Sequence, residues 1–306
     1  MKTITTVLIL FALLYLSKVE TYAQGKTSIL TKNIENHFTM YKKPLLCINT
    51  ERGIITIKGW YHAEIKVVLK LTAKNADPLI AQKELDQMKY SITKTYNSVY
   101  LNNQMVLLRS NQEVSSVITA EYEIYVPYET NLRVYNQFGK VEIENVKGSI
   151  TGELHYSDLT LNNKTGVLNL FITIGDFKST KSNLTGVLNT RHSNISIKET
   201  AGKLQMESEY GNIRITYGAE LFNLSLKSNA TEINIENKSC YPLELNLEGL
   251  YCPLKISDNC FTPEKSYLKS DYQPDSEQEF WKLTYIPPDK ATKLIISSKF
   301  GSLNMF

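Results

Sequence analysis

Residues 131–166 read NLRVYNQFGKVEIENVKG followed by SITGELHYSDLTLNNKTG, two segments of 18 residues that end in Gly148 and Gly166. The register extends well beyond them. A small residue recurs every 18 positions at Gly139, Ser157, Gly175, Ser193 and Gly211, and a larger one stands directly before each: Phe138, Tyr156, Ile174, His192 and Tyr210. Two positions after the small residue comes Val141, Leu159, Phe177, Ile195 or Ile213. Two further on stand Ile143, Leu161, Ile197 and Ile215, with Ser179 the polar exception. A spacing of two is the signature of short strands that bury one face. A second apolar pair opens most segments, as in Leu132/Val134 and Leu204/Met206, so each supplies two strands joined at the Gly or Ser. Gly suits such a turn because turns often need positive φ, which a Cβ penalises.

A constant segment length has a physical meaning. No rung can bury its apolar face alone, whereas stacked rungs bury a continuous core. The predicted class is therefore all-β: a β-solenoid or β-helix-like stack of about 18-residue rungs. The rival is an antiparallel β-sandwich or meander in which FGK and YSD close hairpins. A meander has no reason to hold strand and loop lengths so constant, so stacking is preferred. A left-handed hexapeptide helix is excluded, because the apolar positions do not recur every six.

Working outward, LCINTERGIITIKGW carries the same grammar, with Gly53 before Ile55 and Ile57, and marks an opening rung near 46–57. HAEIKVVLKLTAKN reads as a strand. One inserted helix is expected near 78–90: Asp77 is an N-cap type, Pro78 suits the first helical position, and Ala81, Leu85, Met88 and Ile92 form an apolar stripe. SVYLNNQMVLL and SSVITAEYEIYVPYE return to strands, with Asn102–Asn103 as the expected hairpin turn. Past residue 216 the register loosens. LFNLSLKSNATEINIEN is one more rung with a two-residue insertion, 237–289 is expected to be an irregular excursion, and KLIISSKFGSLNMF is expected to close the stack at 290–306, covering its edge.

At the other end, Lys2 precedes an uncharged run from Ile4 to Leu16, too short to span a bilayer, and Thr21 and Ala23 fit a small-x-small cleavage site. Residues 1–23 are expected to be a signal peptide, followed by an N-terminal β region over 24–130 and the repeats over 131–236. Localisation is then exported: periplasmic, cell-surface or extracellular. No later segment is long and apolar enough to span a membrane. Removing Lys2, Lys18 and Glu20 moves the net charge from +3 to +2. A nearly neutral chain of mixed charge is a poor match for nucleic acid. Cys240, Cys252 and Cys260 cluster within 21 residues near Pro242, Pro253 and Pro263, so a disulfide among them is expected. Zinc is disfavoured by the lack of a CxxC pair or a nearby histidine.

The stretch AEYEIYVPYETNLRVYNQFGKVEIENVKGSITGELHYSDLTL resembles the bacterial exported putative-adhesin family of unknown function, β-strand-repeat domains likened to autotransporter adhesin heads. A strand ending in VP, an apolar strand, then Phe-Gly and an alternating strand carry the likeness, and GIITIKGW fits the family's opening rung. The resemblance covers about residues 44–235 and the C-terminal rung. It implies an exported solenoid-like domain with an adhesive or surface role, and it brings no catalytic residue.

The rung alignment itself supplies the one catalytic candidate. After the small residues come Lys140, Asp158, Asp176, Asn194 and Asn212. Equivalent positions in stacked rungs lie ~4.8 Å apart, close to the carboxylate separation of a retaining glycosidase. Such a pair could also hold calcium. The turn alone accounts for the column, since Asn194 and Asn212 occupy it without any acid. The histidines, His37, His62, His155 and His192, are isolated in sequence, with His192 expected to pack as Phe138 and Tyr156 do. No GxSxG, HExxH, Walker or GxGxxG pattern occurs. Six Asn-x-Ser/Thr triplets, at Asn163, Asn183, Asn194, Asn223, Asn229 and Asn237, are explained by turn composition. Tyr156 and Tyr210, in one column, could stack on sugars or pack as an inward ladder. The expected role is non-catalytic binding of a glycan or cell-surface protein without a cofactor. The alternatives are a carbohydrate-active β-helix enzyme, lyase or hydrolase, and a structural scaffold of the cell envelope.

Overall fold

A computed structural model describes residues 27–107, 113–237, 239–256, 269–270, 280–286 and 291–306. The expected signal peptide and Cys260 lie outside these residues. The described chain is all-β with one helix, and its strands join into one large mixed sheet that is not a barrel.

In the repeat region, successive segments lie side by side in parallel. Val141 pairs with Leu159, Leu159 with Phe177, Phe177 with Ile195 and Ile195 with Ile213, each 18 residues on, and Ile213 then pairs with Ile233, 20 on. This removes the antiparallel meander for these residues, because hairpin neighbours would run in opposite directions. The apolar columns all point inward, and Ser179 is as buried as the residues it replaces. Both strands of a rung feed one core cluster. Each buried Leu or Ile contributes roughly 1.5–3 kcal/mol relative to exposure.

The corners differ from expectation. Positive φ falls on the larger residue rather than on the glycine: Phe138, Tyr156, Ile174, His192 and Tyr210 all lie at φ between 51° and 57°. The small column is small for another reason. A Cβ on Gly139 would sit 1.9 Å from the carbonyl oxygen of Gly53, and one on Gly175 would sit 2.1 Å from that of Ser157. Backbones of adjacent rungs touch at this corner, and only Gly, alternating with Ser, leaves room. Ser157 uses the space for chemistry: its Oγ accepts from the Gly139 amide at 3.1 Å and from Asn136 Nδ2 at 3.2 Å.

Both ends of the stack are threaded out of chain order. Leu45–Glu51 and Gly53–Trp60 pair with Asn131–Glu144 on one side and with Ser98–Met105 and Val117–Pro127 on the other. The opening rung is therefore interior, and a later one covers it. At the far end, Thr292–Lys299 and Ser302–Met305 slot between Phe222–Glu236 and a rung made of Leu243–Leu250 and Leu254–Ile256. This corrects two expectations. The C-terminal rung is inserted rather than terminal, and the stretch taken as irregular contains a rung of its own. The edge of that rung is covered instead by Phe280–Tyr285, antiparallel to Leu243–Leu250 and paired in turn with Lys269–Ser270. Trp281 there fills the space above Gly249, whose Cβ would lie 2.3 Å from the indole.

The helix spans Pro78–Gln87, with Pro78 in its first turn and Asp77 accepting from the Leu79 amide at 2.8 Å. It buries Ala81 and Leu85, but Met88 already belongs to the strand Met88–Thr95, so the stripe runs on into a β element. The hairpin turn is Tyr96–Asn97, not Asn102–Asn103. Asn103 lies inside the strand, buried, where it donates to the Glu51 carbonyl and accepts from the Tyr122 hydroxyl at 2.9 Å. Those two bonds satisfy an amide that sequence alone assigns to a turn.

Candidate functional site

The column of Asp158 and Asp176 is used to stitch rungs. Asp158 Oδ1 accepts from the Asp176 amide at 2.8 Å, and Asp176 Oδ1 accepts from Asn194 Nδ2 at 3.1 Å. Lys178 stands 4.0 Å from the other Asp176 oxygen. The carboxylates thus make inter-rung bonds at the turn, as Asn194 of the same column does.

Two positions before that column, across the Gly and Ser residues, runs an exposed ladder at the left-handed corners. Phe138 and Tyr156 stack at 5.1 Å with planes 14° apart, His192 and Tyr210 at 4.9 Å and 9°, Tyr251 and Phe300 at 5.6 Å and 5°. The inward ladder is thereby corrected, because these side chains are exposed. A sugar needs a free ring face, and here the faces are turned toward one another along the stack. One face of Tyr156 and of Tyr210 is therefore taken by its neighbour in the ladder.

The opposite edge is built differently. Three turns meet there: Met40–Pro44, Tyr61–Ala63 and Tyr128–Thr130, joined by Lys147 from the turn after Asn131–Glu144. They line a cleft of about 530 Å³ whose walls include Tyr41, Trp60, Tyr61, His62 and Tyr128. Main-chain bonds hold the turns together. Met40 donates to the Ala63 carbonyl at 2.9 Å, Tyr128 to the Trp60 carbonyl at 3.2 Å, and Lys147 to the Tyr128 carbonyl at 2.6 Å. Asn97 pins the first turn, accepting from the Tyr41 amide at 2.8 Å and donating to the Lys42 carbonyl at 3.1 Å. Trp60 is fixed by its indole N–H, which donates to the Glu64 carbonyl at 2.8 Å, and by Tyr125, 5.2 Å away. Tyr61, by contrast, is 80% exposed and Tyr41 66%. The result is a rigid indole flanked by largely exposed phenol rings, Tyr41 stacked on Tyr96 at 5.7 Å and Tyr61 packed on His62 at 4.0 Å, in a volume within the roughly 300–1,000 Å³ of small-molecule sites.

The other predicted residues are dispersed. His37 bridges Glu35 at 2.9 Å and Glu64 at 3.0 Å, and the Glu35 hydrogen bond, then that of Glu64, raises its pKa. His62 belongs to the cleft, His155 lies 3.8 Å from Glu153, and His192 is in the ladder. Cys240 is disulfide-bonded, while Cys47 and Cys252 are free thiols. Cys252 is buried in the small-residue corner column, and that burial raises its pKa. No group of three metal-ligating side chains occurs among the described residues. No described helix is long and apolar enough to cross a membrane.

Sequence reasoning missed the cleft because its parts, YKKP, GWYHAE and VPYE, stand far apart. Their one shared signal is an aromatic residue at a turn next to a strand end.

Fold and site together define a stacked β-repeat protein with an aromatic cleft at one edge. No protein-family model matches the sequence, and comparison with curated proteins finds no match. Several solved structures of bacterial proteins match it at low identity. A "putative adhesin" from Bacteroides fragilis is 11% identical, with 90% of this chain and 97% of that one covered and a TM-score of 0.45. A "putative cell adhesion protein" from Clostridium sporogenes is 12% identical, covering 90% and 99%, with a TM-score of 0.26. A "putative lipid binding protein" from Parabacteroides distasonis is 7% identical, covering 90% and 97%, with a TM-score of 0.34.

Proposed function

We propose that this chain is an exported, non-catalytic binding protein of the adhesin kind, a β-solenoid that engages a glycan or cell-surface molecule through the cleft around Trp60. The cleft carries the reading: it is concave, aromatic and held by main-chain bonds that need no ligand, so little ordering cost falls on binding. The Asp158 and Asp176 column supports the non-catalytic part, since one oxygen of each carboxylate already serves an inter-rung bond. The leading Lys2 to Ala23 segment supports export.

The test is a glycan and matrix-protein array probed with the mature chain, beside Tyr61→Ala and Tyr128→Ala. Binding by the parent that both variants lose is the expected result. A clean negative overturns the binding role in favour of a structural scaffold. Polysaccharide cleavage by the parent that the Asp158→Asn, Asp176→Asn double variant loses overturns the non-catalytic role.

A further inference from the structure

Lys42, Lys43 and Lys147 all line the cleft, against a single acid, Glu129. That imbalance is local, because the whole chain carries only +3 on 306 residues. It is also unneutralised. Some lysines on the outer faces are matched with acids, as in Lys58–Glu123 at 3.3 Å, Lys66–Glu35 at 2.8 Å and Lys70–Glu121 at 3.3 Å, while others, such as Lys74, Lys181 and Lys203, stand singly. What marks the cleft is three such cations around one hollow. Among the described residues, none of the three cleft lysines forms an ion pair. Lys147 instead lies over the ring of Tyr128, 5.7 Å from its centroid, which aims a cation along the cleft wall.

From this juxtaposition we infer that the cleft binds an acidic saccharide, one bearing carboxylate or sulfate groups. The inference rests on the cleft being the binding site and adds the chemistry of what fills it. A pyranose has an apolar face that stacks on an indole or phenol ring, and acid groups at the ring's periphery that ammonium groups can meet. Tyr61 and Tyr41, largely exposed although one side of each meets His62 or Tyr96, supply the first requirement beside anchored Trp60, and the lysines supply the second. Nucleic acid or a membrane surface fits less well. Each needs a broad basic stripe, whereas the positive charge here is confined to one bounded cleft.

The experiment follows tryptophan fluorescence of the full mature chain. Trp60 sits in the cleft, while Trp281, the other of two tryptophans, is buried at the far end of the stack. The probes are an α-1,4-galacturonate trisaccharide, its uncharged methyl ester, and a sulfated heparin tetrasaccharide. Inorganic polyphosphate, phosphatidylglycerol vesicles and single-stranded DNA serve as comparison anions. The acid or the sulfated probe is expected to bind at least ~10-fold more tightly than the ester, and to weaken by a similar factor as salt rises from about 0.05 M to about 0.5 M. Whichever of the two binds better identifies the acid group. Lys43→Ala with Lys147→Ala should reduce acid binding to the ester's level, while Tyr61→Ala should weaken both probes. Equal affinity for acid and ester overturns the charge inference and leaves the cleft standing as a site. Absence of any saccharide response overturns both. Tighter binding of polyphosphate, vesicles or DNA than of either acidic saccharide overturns the saccharide class.

Discussion

The two edges of the stack use their aromatic residues in opposite ways. At the edge of Phe138, Tyr156, His192 and Tyr210, rings recur in register on adjacent rungs and stack as two pairs either side of Ile174, so each covers one face of its neighbour. At the edge of Trp60 and Tyr128, rings come from turns of unequal length, so they splay around a hollow. Regularity closes a surface, whereas irregularity leaves it available. The same contrast governs what lies just beneath. Under the ladder, the Gly and Ser column brings backbones into contact. Under the other edge, Lys164, fully buried, takes a position that Val146, Ser182 and Thr200 fill in other rungs.

The strongest way to break this contrast is to add side-chain bulk beneath the ladder. Gly175→Val places atoms against the Ser157 carbonyl, where even a Cβ would lie 2.1 Å away. The obstacle is backbone, so the rungs must part. A loss of about 3 kcal/mol or more in urea denaturation is expected. Ser193→Ala in the same column should cost only ~1 kcal/mol, since it removes one bond, to the Arg191 carbonyl, and adds no volume. A wild-type midpoint for Gly175→Val would mean that the corners do not pack as described.

Lys164 sharpens the comparison from the other edge. Its ammonium meets only the carbonyls of Gly148 and Thr165, and burial lowers its pKa from 10.5 to about 8. At pH 7 the folded chain holds a charge that the unfolded chain solvates better. Lys164→Met should therefore stabilise by about 1–2 kcal/mol, after allowing for the two carbonyls left unpaired. The sign of the pH dependence follows. The folded pKa is depressed, so the burden is complete below about pH 8, and the parent regains stability as pH rises toward 10.5. The gap between variant and parent must narrow over that window and stay constant below it. A gap independent of pH from 7 to 10.5 would show that the lysine is not buried in its charged form.

Much of this architecture is visible in the sequence, and what is hidden has a common cause. The columns at Val141 and Ile143 and their successors are legible because burial alternates by two and the rung length repeats. Rung order is not, because the same grammar fits any slot. Nothing in LIISSKFGSLNM says that Leu303 pairs with Ile233, 70 residues earlier, rather than ending the stack. The cleft is hidden for the same reason. Tyr41, Trp60 and Tyr128 meet only because the opening rung is interior, flanked by strands that come later in the chain. The role of glycine is not legible locally: a turn glycine and a contact glycine look alike until the neighbouring rung is in place. Asn103 is the converse case, a turn-type residue whose buried partners, Glu51 and Tyr122, are distant in sequence.

The ladder's weakest rung offers the finest test. Ile174 occupies the left-handed corner at φ 55° with a β-branched side chain, and it is 40% exposed. Such a conformation costs of order 1–3 kcal/mol in a non-glycine residue. The aromatic residues of the column recover part of that cost by stacking, but no ring contact includes Ile174 among the described residues. Ile174→Gly should therefore stabilise the chain by about 0.5–1 kcal/mol, the relieved strain being offset by the greater flexibility of glycine when unfolded. Tyr210→Gly relieves the same strain but forfeits the His192 contact, and it should come out near neutral. The ordering matters more than either magnitude. If Tyr210→Gly were the more stabilising of the two, ring stacking could not be what sustains the strained corner.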